Sequence, residues 1–410
     1  MIEDAAKHKQ TARVTAWIAC ALGLSVFPVA FLVALLPVFC TAAIGVGAWL
    51  LTAGRKYWRK EFLLLLLLLI GYFAPSVAVC WTPYGFCRQF GQELGYREAY
   101  LLAIGLLMYF CAFATVSQAE ARYACTFGTA LAVYVGIAVF MLFTSDHLSE
   151  RIGPRRTQLF VTRNDLAPLV AWLFFLYGLV RHAVPKPSIR FLAFMATVVV
   201  SSLLTLATQS RLVAAIAILG TVLFAAMDFR RNRGWAILGL ALGVIFLFEY
   251  QNAANLVRRA MMAEIGEQSI LARFSLWKVG WEMSLDAPWL GHGLGTFGQA
   301  YEIYRQTAPA AASIDIRLTP WPHNVLIEVL FGKGIVGLTA FLTLLVWVTT
   351  NLSRKVPEAL TSLRKPARFL FAALIIIGCL DSTTNRLWFL PSILYVLGFS
   401  EGILFRSKPT

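Results

Sequence analysis

The feature that most constrains this chain is a succession of apolar runs, each near the length that crosses a bilayer. A membrane-spanning helix needs about 20 consecutive apolar residues. Residues 14–53 form one long apolar stretch containing Pro28 and Pro37, too long for one helix and long enough for two. Further runs lie near 62–81, 99–117, 122–144, 165–181, 191–208, 212–227, 235–251, 324–350, 367–384 and 388–405. Together these make twelve candidate spans, of which 212–227 is the shortest. Composition excludes the soluble classes. The 410 residues are 59% hydrophobic and only 14% charged, against about 25% charged in a soluble domain.

The formal net charge is +15. In a soluble protein that would suggest nucleic acid, but membrane topology accounts for it here, and no nucleic-acid partner is expected. With the N-terminus (Lys7, Lys9, Arg13) placed in the cytoplasm, 21 of the 36 basic and 7 of the 21 acidic residues fall on the cytoplasmic side, leaving 15 and 14 on the other. Nearly all the excess lies on one face, as the positive-inside rule requires. The expectation is an all-α polytopic membrane protein with about twelve spans and both termini cytoplasmic. Residues 1–251 would hold nine spans with short loops, 252–321 a large helical outer loop, and 322–410 the last three spans. The first span reads as an uncleaved helix, since no small-residue cleavage site follows it. There is no Walker A motif and no Rossmann unit, so the chain is not expected to use ATP, and its chemistry is expected outside the cytoplasm. Seven cysteines show no CxxC or Cys/His spacing, hence no zinc or redox motif.

Outer-face arginines run against the topology signal, so they are informative. Thr208-Gln209-Ser210-Arg211 is a short turn between two barely sufficient spans. Ser210 is a good N-cap and Arg211 the first helical residue. A helix N-terminus with an arginine is an anion site, or a snorkelling arginine at a headgroup. Arg273 lies in a segment with apolar residues at 270, 271, 274, 277 and 281. That spacing predicts an amphipathic helix on the membrane surface. Gly291, Gly293 and Gly295 follow as a turn-forming string, with no strand before them to make a dinucleotide motif. Thr319-Pro-Trp-Pro-His323-Asn324 opens a span, and Pro320 and Pro322 are tolerated only in a first turn. His323 is therefore expected at a helix N-terminus, where the dipole favours neutral imidazole, able to accept a proton. Capping or packing is the plainer role. Glu328 does not share a helix face with His323, so the two are not a dyad. Arg151, Arg155, Arg156 and Arg163 could bind lipid headgroups or attract an anionic glycolipid. Asp381, Asn385 and Arg386 form a last outer turn that either faces the same cavity or pairs within itself.

These segments, in this order, resemble the O-antigen ligase and O-antigen polymerase superfamily of membrane glycosyltransferases. The resemblance is carried by Arg156…Phe160…Asn164…Ala167, by Thr208-Gln-Ser-Arg211, by Arg273…Trp277…Pro288…Gly291-His-Gly-Leu-Gly…Phe297, and by His323-Asn324…Glu328…Gly334…Gly337. Twelve spans with one dominant outer loop resemble the ligase most. One departure is that Thr162-Arg163-Asn164 stands where the family often has Asn-Pro-Asn. The resemblance implies a GT-C-like fold. It also implies a donor polysaccharide on undecaprenyl diphosphate, a lipid A–core acceptor, and reaction at the periplasmic face among membrane lipids.

Glycosyl transfer from a lipid diphosphate needs a group to stabilise the departing diphosphate and a base for the attacking hydroxyl. The outer loops contain no DxD or ExD pair to hold a metal. No metal or other cofactor is therefore expected, and arginine forks remain. Arg211 and Arg273 fit that role and His323 fits the base. Arg155, Arg156, Arg163, Asn164 and Asn324 are the expected substrate contacts. The rivals are the polymerase, a ligase that glycosylates protein, and a transporter or flippase. Transport would call for ionisable residues mid-span and paired helix breaks in two halves, whereas most charges here lie at span ends.

Overall fold

The computed structural model describes residues 60–80, 101–102, 104–113, 116, 128, 130–135, 166–208, 210–229, 263–293, 296–307, 321–381 and 389–407. Among these residues there is no strand. The helices are α1 Lys60–Cys80, α2 Ala167–Ala183, α3 Pro187–Thr208, α4 Arg211–Phe229, α5 Ala263–Ser284, α6 Phe297–Thr307, α7 Val325–Ser353, α8 Glu358–Leu380 and α9 Phe389–Arg406. Pro187–Thr205, Val325–Ser353 and Phe389–Arg406 are long and apolar enough to cross a membrane. Leu63–Ser76, Ile104–Phe113, Ala167–Ala183 and Leu212–Met227 are shorter apolar helices. The described residues are thus helical, and three of their helices have the length and composition of membrane spans. The first two expected spans and the one near 235–251 lie outside the described residues.

Interhelical contact in lipid depends on close packing rather than on a hydrophobic drive. Small residues permit it here. Gly178 faces the Pro366 ring and Gly220 faces Phe174, each too close for an added Cβ. Trp172 donates to Ser392 Oγ at 3.1 Å and packs edge-on against Phe175 and Tyr395. Tyr109 donates to Glu401 Oε2 at 2.5 Å, giving one buried carboxylate a partner.

Basic residues collect at one end of the bundle. Arg181 donates to Met227 O at 3.1 Å, and His182 lies 2.7 Å from Ser362 Oγ. Helix α8 was expected over 367–384, yet it starts at Glu358 and stops at Leu380. Its first turns carry Arg364, which donates to Asn351 O, and Arg368, which donates twice to Leu352 O. Cations at the carbonyl end of α7 are favoured by its dipole, which lets a charged segment continue an apolar helix. The N-termini of α4, α7 and α9 and the C-terminus of α8 lie at the opposite end.

Helix α7 is broken at Gly334, whose φ is 63° and ψ −165°. Val325 and Phe389 both pack against Gly378, while Phe389 is 6.3 Å from Phe341. A straight helix would separate positions 325 and 341 by roughly 24 Å, so the first turns fold across the end of the bundle. The segment after α5 is clasped into this break. His292 N donates to Phe331 O (2.8 Å) and Gly293 N to Gly332 O (3.0 Å). Ile335 N donates to Pro288 O (2.7 Å) and Val336 N to Trp289 O (3.3 Å). The loop thereby supplies donors to the carbonyls that end one half-helix and acceptors to the amides that begin the next, groups that otherwise go unpaired at a break. Beside it, the Lys333 ammonium is buried. It donates to Ser76 Oγ at 2.8 Å and lies 4.3 Å over the Tyr72 ring and 5.1 Å from that of Phe73.

Candidate active site

His323 stands two residues ahead of α7, not in its first turn, and Pro322 is likewise outside the helix. Asn324 is the cap. Its side chain accepts from Leu326 N (2.9 Å) and Ile327 N (3.3 Å). That role orients the helix start and is what the structure gives Asn324, expected as a substrate contact. His323 has a φ of 52°, rare for a residue with a Cβ. The turn aims its ring at the end of α8. His323 Nδ1 lies 2.9 Å from Asp381 Oδ1. The Asp381 side chain is 6% exposed and that of His323 24%. Asp381 N, capping α8, donates to Ile377 O at 2.8 Å. A buried carboxylate bound to one ring nitrogen fixes the imidazole plane.

This partner was not assigned from sequence, although span counting had put Asp381 on the same face as His323. Glu328 is buried in the first turns of α7, its N donating to Asn324 O at 2.9 Å. Asn385 and Arg386 lie outside the described residues.

Arg211 is the first residue of α4, as expected from sequence, and Ser210 Oγ caps that helix by accepting from Val213 N at 3.3 Å. Because α4 ends beside Arg181, its N-terminus lies at the His323 end of the bundle. Arg155, Arg156, Arg163 and Asn164 lie outside the described residues.

Arg273 is half-buried on α5. Gly280 of α5 packs on Ile327, and Met283 further along clusters with Phe331. The two helices therefore run side by side in one direction. Arg273, seven residues ahead of Gly280, is roughly 10 Å back along α5, on the face shared with Gly280 and toward the His323 end. The face that packs is Leu276, Val279, Gly280 and Met283, against Phe297, Tyr301 and Phe331. Of the stripe expected to seek an apolar surface, Phe274 and Trp281 are exposed, while Trp277 is half-buried and packs against this cluster. Tyr304 of α6 donates to Glu282 Oε2 at 2.7 Å, and that bond raises the phenol pKa above its usual value.

Gly291 and Gly293 both have positive φ, as a turn requires. Gly291 does more than turn, because its Cα lies against the backbone of Lys333 and Gly334. His292 stacks on Phe331 at 4.7 Å, and its Nε2 lies 2.8 Å from Met283 O. Among the described residues, no three His, Cys, Asp or Glu side chains are gathered as metal ligands.

Fold and site together define a helical membrane protein with a paired His–Asp at one end of its bundle. Residues 196–342 match the family model described as O-antigen ligase, so this stretch of the chain is similar to that family. The matched stretch includes Arg211, Arg273, His323 and the break at Gly334, while Asp381 lies beyond it. No curated protein matches the chain.

Proposed function

We propose that this protein is an O-antigen ligase of the inner membrane. It would transfer O-antigen polysaccharide from undecaprenyl diphosphate to a sugar hydroxyl of lipid A–core at the periplasmic face. The observation that carries this reading is the His323–Asp381 pair in a chain with an O-antigen ligase domain. Asp381 accepts from Nδ1–H, so Nε2 takes the proton of the acceptor hydroxyl. The hydroxyl oxygen attacks the anomeric carbon. The bond to the diphosphate breaks, and undecaprenyl diphosphate leaves with its charge held by Arg211 and Arg273. One direct displacement inverts the anomeric centre, and no metal takes part. A positioned base contributes on the order of 10²–10⁴ in rate, and a donor on the departing charge about 10²–10³. Arg155, Arg156, Arg163 and Asn164 complete the glycan and diphosphate contacts.

The test is transfer in detergent with EDTA present, from undecaprenyl-diphosphate-linked glycan to lipid A–core, read on a gel. A ladder on lipid A–core that survives EDTA and vanishes in His323→Ala supports the ligase. Longer lipid-linked glycan with unmodified lipid A–core would assign the polymerase reaction instead. A trapped glycosyl-enzyme adduct would refute direct displacement.

A further inference from the structure

Outside the site, the largest exposed apolar side chains of the 263–307 region fall along one edge. Trp289 is 70% exposed, Leu285 60%, Phe274 57% and Trp281 53%, with Leu290 beside them. Phe274 and Trp281 are seven residues apart on α5, hence on one helix face, and Leu285 follows in the first position of the turn beyond it. Lys278, exposed on that same face, is paired only loosely with Glu282 at 3.9 Å.

This edge is continuous with α7. Pro288 O and Trp289 O accept from Ile335 N and Val336 N, and the Ile335 and Val336 side chains are exposed in turn. From Ile335 to Ser353 the helix has 19 residues, about 28 Å of rise, close to the roughly 30 Å hydrocarbon thickness. Ile335 therefore marks one boundary of the hydrocarbon, and the hydrogen bonds hold Trp289 at that boundary. Tryptophans belong there, since the ring is apolar and the indole N–H needs a polar partner. A lysine among them can lay its stem on the lipid and keep its ammonium among headgroups.

We propose that the outward face of α5 and the 285–290 turn form a wedge seated in the outer leaflet of the bilayer, with lipid as its partner. The wedge ties the clasped loop to the membrane surface. It stands independently of the proposed reaction, though under that reaction it would hold Arg273 at headgroup level, where the diphosphate of a lipid donor lies.

The experiment is photo-crosslinking of the full chain in phosphatidylcholine–phosphatidylglycerol nanodiscs. Benzoylphenylalanine would replace Trp281, Leu285 or Trp289, with Leu342 as a span-face control and Glu358 as a control at the basic end. Lipid adducts from the three positions should match Leu342 and exceed Glu358 on the order of tenfold. Adducts to a second copy of the chain, or none where Leu342 reacts, would overturn the proposal. A second readout avoids the bulky probe. Dibrominated lipid should quench the parent more than Trp289→Phe, and equal fractional quenching would count against the wedge.

Discussion

Replacing Gly334 by alanine should open the clasp between the 288–293 loop and α7. The residue is held at φ 63° and ψ −165°, a region essentially confined to glycine, where another residue costs roughly 1–3 kcal/mol. An added Cβ would lie 2.3 Å from both C and O of Trp289 and 2.6 Å from Leu290 N. These are backbone atoms, so no rotamer change relieves the clash and the loop must retreat. Retreat breaks the bonds from Ile335 N and Val336 N, each worth about 0.5–1.5 kcal/mol. The sum is about 2–6 kcal/mol, a large part of the 5–15 kcal/mol that typically separates folded from unfolded protein. The assay is thermal unfolding in detergent, where the midpoint should fall by roughly 5 °C or more. Gly291→Ala meets the same interface from the other side, its Cβ 2.5 Å from Lys333 N. The double variant should therefore lose less than the sum of the two. Gly71→Ala, whose Cβ would meet only Ala340 Cβ at 3.5 Å, is the control. If Gly334→Ala melted with that control, the clasp would not be a stability element and the reasoning would fail.

Asp381→Asn should lower kcat by up to about 10⁴-fold with little change in KM, because the His323 ring loses the carboxylate that fixes its tautomer and orientation and stabilises its protonated form; equal kcat would remove Asp381 from the mechanism. Arg273→Ala should cost about 10²–10³ in kcat/KM, and Arg273→Lys should recover only part of it, since one ammonium cannot reproduce a guanidinium fork. Full recovery by lysine would show that charge alone suffices. Lys333→Met keeps a stem against Tyr72 and Phe73 and deletes the charge, so its melting midpoint should stay within a few degrees of the parent, while Lys333→Ala should lose about 2–5 kcal/mol by opening a cavity. Because the Glu282 bond raises the Tyr304 pKa, the protonated phenol's tie between α5 and α6 is complete below the ordinary tyrosine range and is lost as pH rises through the elevated value. Protease sensitivity of the 285–296 segment should therefore rise at alkaline pH in the parent, and Tyr304→Phe should abolish that step.

The amino-acid sequence by itself determined several helices and the Ser210 cap, though not the Asn324 cap or the start of α8. Apolar runs near span length marked α2, α3, α4 and α9 closely, and Ser210 was legible as a cap because an N-cap acts on amides within three residues. Basic residues at alternate ends were legible as well, because lipid and membrane asymmetry act on each segment separately. Tertiary structure alone decided the pairings. His323 and Asp381 are 58 residues apart, and nothing in the pattern of either helix end distinguishes facing the other from facing solvent. The stripe on α5 was visible, but whether it or the Leu276–Val279–Met283 face would be covered depended on where α7 lay. Gly291 read as a turn former, and Gly334 was legible only as part of a family resemblance. Their common purpose, two backbones meeting with no room for a Cβ, exists only once both segments are folded against each other, since a period along the chain carries no information about what approaches from outside it.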